Sequence, residues 1–204
     1  MSYADDTEYA VIHLIDLAVG EEALLGEKKP LLENAERRLK VHEWDFQTSD
    51  LNDDFSEQYI MAAFARTAEA GQEVNQLRSE VAHLQSLIGA HQIAVQSVCG
   101  AILQIAKQGI SIVHGGLGNA PPGRTIGMVT LKDVVWQSRN QAVHYEEGNF
   151  RMPVLQVFHA LEASHGVAFS LQQHAGQSRA KQVVDLLGWN SYEAYLSDAR
   201  QLGL

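Results

Sequence analysis

A guanidinium set in a row of valines needs an anion, and this makes Arg139 the first residue of interest in the chain. The segment Leu131-Lys132-Asp133-Val134-Val135-Trp136-Gln137-Ser138-Arg139-Asn140-Gln141-Ala142-Val143-His144-Tyr145-Glu146-Glu147 reads as one helix. Residues four apart share a helix face, so Arg139 falls in a row with Val135 and Val143. Arginine does not shed its proton in proteins, so its charge must meet a counterpart. A carboxylate of a neighbouring helix, a group across a subunit interface and a phosphate would each serve. Asn140 and His144 are also four apart and lie together on the adjoining face. An imidazole near its ordinary pKa is suited to taking and giving a proton.

The run Arg139-Asn140-Gln141-Ala142-Val143-His144 resembles the signature of the HEPN superfamily, an Arg and a His separated by four to six residues. In that family a polar residue such as Asn often follows the Arg. Arg37 with His42 and Arg78 with His83 have the same spacing, but Arg38 follows the first and Ser79 the second. HEPN proteins are small α-helical bundles. Many are metal-independent ribonucleases of toxin–antitoxin, abortive-infection and RNA-processing systems, and their motif usually lies at a dimer interface. The resemblance therefore implies an endoribonuclease that needs no metal or other cofactor and acts on RNA as a homodimer. A protein antitoxin is a further expected partner.

By this resemblance, His144 takes a proton from a ribose 2′-hydroxyl and the freed oxygen attacks the adjacent phosphorus. Arg139 stabilises charge growing on the phosphoryl oxygens. Asn140 orients the imidazole or holds a phosphate oxygen. The products are a 2′,3′-cyclic phosphate and a 5′-hydroxyl. Arg124, Lys132 and Arg151 are the nearest bases and are expected to guide the RNA backbone. The rival reading is a catalytically inactive helical interaction or oligomerisation protein that binds RNA or a protein partner.

Other groupings carry less. Glu80 with His83 and Glu162 with His165 are Glu-x-x-His pairs, which di-iron bundles use when all ligands point inward. His83 falls away from the apolar seam of its helix, so no metal site is expected. The glycines of 115–123 follow no strand, and the Lys-Ser/Thr of a phosphate-binding P-loop is missing. The single Cys99 excludes an internal disulfide framework and reads as a small buried residue.

The elements that must position Arg139 and His144 are helical. Of 204 residues, 46% are hydrophobic and only four are Pro, so long stretches favour helix around a sizeable core. The expected fold is all-α, an antiparallel helical bundle with a long heptad-patterned central helix. From Val74 the apolar spacing alternates three and four. Val74, Val81, Ile88, Val95 and Ile102 take the a positions, and Leu77, Leu84, His91, Val98 and Ile105 the d positions. Flanking e and g positions turn apolar from about Leu87, which predicts entry into a multi-helix core. His91 is expected to be a satisfied core histidine. This helix should end between Gly109 and Gly115.

Residues 7–26 and 29–43 read as two helices split near Gly26 and Pro30. They would form an acidic helical hairpin over 1–52, with the long helix and bundle over 53–204. Later helices are expected near 129–147, 151–166, 177–187 and 191–202. Gly188 is expected to cap the third, and Asn190 with Glu193 the fourth.

Net charge is −10 and uneven: residues 1–106 hold 18 acids and 7 bases, and residues 107–204 hold 7 acids and 8 bases. A polyanion should therefore meet the C-terminal half, and the acidic half argues against general coating of nucleic acid while leaving room for one small basic site. The acidic start Met-Ser-Tyr-Ala-Asp-Asp does not read as a signal peptide, and no long uninterrupted apolar run appears. A cytoplasmic protein without a membrane span is expected.

Overall fold

The computed structural model describes residues 2–48 and 57–204. Among these the chain is all-α, with six α-helices: α1 (Tyr3–Thr48), α2 (Glu57–His114), α3 (Leu131–His144), α4 (Met152–His165), α5 (Ala180–Leu187) and α6 (Tyr192–Gln201). A small antiparallel ribbon, β1 (Thr125–Ile126) with β2 (Val129–Thr130), leads into α3. Its strands have two residues each, too few for alternation to show in sequence. The boundary expected at residue 52 and most of the acidic segment around it lie outside the described residues.

The two helices expected before residue 44 are one. α1 runs through Gly26 and Pro30 without a break. Proline removes one hydrogen bond and crowds the carbonyl four residues back. Packing overrides that cost. Ala4, Val11, Ala18 and Leu25 are buried at seven-residue intervals, and Leu32 and Leu39 continue the same register past the proline. A chain that broke at Pro30 would lose this alignment.

The chain falls into two compact units, Glu22–Gln92 on the one hand and Met1–Glu21 with Ile93–Leu204 on the other. Within Glu22–Gln92, α1 and α2 pair antiparallel. Ala35, Val81 and Leu84 form the buried centre, with Leu32 and Leu39 packed against it. On one edge Glu43 receives Arg78 at 2.7 Å and Glu36 receives Gln85 at 3.2 Å. On the other, Arg38 meets Glu80 and His42 meets Glu73. Partners on α2 descend as those on α1 ascend, which fixes the direction of the pair.

In the larger unit the buried face of α2 widens, as the flanking positions predict. Val95, Cys99, Ile102, Leu103, Ala106 and Ile110 are all buried. A straight helix drifts about 20° per heptad from a strict seven-residue repeat. The e-position residues Cys99 and Ala106 thereby join the core, while His91 is only half-buried. By length and composition alone, Phe64–His114 suffices to cross a membrane, and 33% of its most apolar window is buried inside the protein. Near its end Gly109 lets the Tyr3 ring lie flat on the backbone, since a side-chain carbon there would come within 2.6 Å of the ring. The Tyr3 hydroxyl donates to the Ile105 carbonyl at 3.0 Å.

The last helix of the bundle starts differently from expectation. The N-cap of α6 is Ser191, whose hydroxyl accepts from the Ala194 N–H, so Asn190 with Glu193 does not form the box. Gly188 does cap α5, with positive φ and its N–H donating to the Asp185 carbonyl. α3 turns Leu131, Val134, Val135, Ser138 and Gln141 inward and packs on both α4 and α5. Its outward face is left to Arg139, Asn140 and His144.

Candidate functional site

α3 ends at His144, and one 3-10 turn, Tyr145–Glu147, follows it. Gly148 closes the turn in the left-handed region at φ 66°, where a side chain would be strained. This reversal puts Glu147 under the imidazole. Its Oε1 lies 2.6 Å from His144 Nδ1. With the neutral ring donating from Nδ1, Nε2 is the bare nitrogen, free to accept a proton. Glu146 turns elsewhere: it accepts from the Tyr145 hydroxyl at 3.0 Å, a bond that pushes the phenol's pKa up.

A chain of polar contacts runs across the outward face of α3. Arg139 Nε donates to the side-chain oxygen of Gln104 on α2. Arg139 Nη1 donates to Asn140 Oδ1 at 3.4 Å, and Asn140 Nδ2 donates to Gln137 Oε1 at 3.2 Å. Both partners of the guanidinium are neutral amides. No carboxylate among the described residues neutralises Arg139. Arg179 also lacks a carboxylate, but it is buried and ringed by the Ser178 and Ala168 carbonyls and the Gln177 amide. Burial pushes its pKa down. Arg139, by contrast, is only partly buried.

A cleft of about 400 Å³ opens between α3 and the segment leading into α4. Trp136, Asn140 and His144 line the α3 side, and Phe150, Arg151 and Val154 the other. Arg151 is the N-cap residue of α4, so the positive end of that helix dipole also faces the cleft. The Arg151 side chain is exposed and has no hydrogen-bond or ion-pair partner among the described residues. Arg139 does not line the cleft itself; it borders it through Asn140.

The structure thus brings Asn140, His144 and Arg151 to one opening, with Arg139 beside it. The other two expected RNA-guiding bases make contacts within the protein. Arg124 is spent on Asp198, at 2.7 and 2.9 Å, and on the Leu187 carbonyl at 2.8 Å. The Trp189 indole donates to the same carboxylate. This is a staple between the loop before β1 and the last two helices. Lys132 donates to the carbonyls of Leu117 and Ala120 and closes the glycine-rich loop.

The sequence carries one signal for the Glu147 contact, its three-residue spacing from His144. Gln104, Asn149 and Phe150 gave no signal, because helix spacing does not reveal which residues a loop or a second helix brings alongside. No group of three metal-ligating side chains forms among the described residues. No family model, curated protein or solved structure matches the chain.

Proposed function

We propose that this chain is a metal-independent endoribonuclease of HEPN type. One observation carries the reading. Arg139 keeps its charge without a carboxylate and holds Asn140, which lies one helical turn before an imidazole that a carboxylate orients at the rim of a cleft. A phosphodiester supplies the missing anion, and the imidazole the missing base.

In this reading the ribose 2′-oxygen gives its proton to His144 Nε2 and bonds to phosphorus. The bond from phosphorus to the 5′-oxygen breaks, and that oxygen takes up a proton from solvent. Arg139 and Arg151 bear the charge on the phosphoryl oxygens, where fixed cations act with little reorganisation. Asn140, held by Arg139, steadies the phosphate beside the imidazole. A second copy of the chain completes the groove, in a cytoplasmic setting such as a toxin–antitoxin or phage-defence system.

The test is cleavage of a 5′-labelled RNA in EDTA. Wild type is expected to leave 2′,3′-cyclic phosphate ends, and both Arg139→Ala and His144→Ala to lose at least about a hundred-fold in rate. Intact RNA with well-folded wild type defeats the proposal.

The second reading, an inactive interaction protein, draws on the Glu22–Gln92 unit. Met61 and Phe64 are exposed there, at 68% and 70%, and exposed apolar side chains are what a partner would cover. A folded wild type that cleaves nothing yet sediments with a protein partner through this unit would favour it.

A further inference from the structure

We propose that the cleft beside His144 receives one unpaired purine base, walled by Trp136 and Phe150 and read at its edge by Asn149. This rests on the ribonuclease reading of the same cleft. A site for phosphate alone needs only cations and N–H donors. This one also carries two aromatic rings, and Pro153 and Val154 beside them. Lys107 sits over the Trp136 ring, 4.4 Å from its centroid, so a cation covers one face of an indole that also lines the cleft.

The amides of the cleft divide in the same sense. The Gln137 oxygen accepts from Asn140, and the Asn140 oxygen accepts from Arg139, so these two are tied into the polar chain on α3. Asn149 is exposed, lines the cleft and has no hydrogen-bond partner among the described residues. An amide sets one donor beside one acceptor, the pattern that meets adenine at N6 and N7. A base inside a duplex has its faces stacked and its pairing edge used, so only an unpaired base can enter. Stacking strengthens with ring area, which favours purines over pyrimidines.

The experiment titrates AMP, GMP, CMP, UMP and inorganic phosphate separately into the ¹⁵N-labelled protein and follows its tryptophan indole N–H signals. Trp136 is assigned with Trp136→Phe. AMP and GMP are expected to move the Trp136 signal and to bind at least about five-fold tighter than CMP and UMP. Phe150→Ala, in a half-exposed loop residue, should weaken AMP about ten-fold, with circular dichroism confirming the fold. Equal binding of all four nucleotides and phosphate overturns the base subsite. So does AMP affinity indifferent to Phe150→Ala. Purine binding without cleavage of any RNA would sink the ribonuclease reading and leave the subsite standing; cleavage blind to base and to Phe150→Ala would do the reverse.

Discussion

A carboxylate near a phosphate site repels the ligand when it faces the phosphate, and assists the chemistry when it faces the imidazole. Glu147 lines the cleft, and its Oε1 is engaged by the imidazole at 2.6 Å. Glu147→Gln keeps the shape but removes the charge that holds the Nδ1 proton. Cleavage by this variant should fall about ten-fold or more in kcat with little change in KM, the size of effect that orienting partners of functional histidines have. An unchanged kcat would make the contact a plain surface pair. At this scale the sequence was legible where side chains share a helix: the four-residue step joins Asn140 to His144 at one cleft. It was not legible for Arg124, whose partner Asp198 is brought alongside only by the fold. A cation's availability depends on what lies next to it in space, and charge counted along the chain does not contain that.

Among the elements, α1 shows how a local rule yields to a longer pattern. Gly26 and Pro30 are breakers one turn apart, and they suggested two helices. The seven-residue register from Ala4 to Leu39 passes through both, and it was readable in the sequence had it been weighed against the proline. Pro30 is exposed, so Pro30→Ala should restore a backbone donor without disturbing the seam. The expected gain is about 2 kcal/mol, the helix-interior penalty of proline less the added freedom of the unfolded chain. Thermal unfolding measures it; a lower Tm would mean that the proline shape is needed. The start of α1 is secured separately. The Ser2 hydroxyl accepts from the Asp5 N–H at 3.2 Å and the Ser2 N–H donates to the Asp5 carboxylate at 2.8 Å, a capping box. These bonds hold Asp5 below its usual pKa. The box is therefore fully formed at neutral pH and weakens as acid protonates the carboxylate.

Across the whole molecule, the all-α class and the late helices followed from composition and period, because apolar spacing encodes which face is inside. The division into units did not, since each unit takes parts of both long helices. Glu22–Gln92 has a narrow core around Ala35, Val81 and Leu84, whereas residues 93–204 bury residues from α2 through α6. Hydrogen exchange should accordingly protect α2 amides near Ile102 and Leu103 at least about ten-fold more than those near Val81. Uniform protection along α2 would show that it opens only as a whole. One contact made along that helix reaches further. The oxygen that Arg139 holds belongs to an amide, and glutamate has the same outline with one NH₂ replaced by a charged oxygen. Gln104→Glu should therefore leave the Tm near that of wild type while silencing RNA cleavage, because the cation would then be satisfied from within. On the ribonuclease reading, a single side chain on a neighbouring helix thus decides whether the guanidinium has charge to spare for a phosphate, with the fold unchanged.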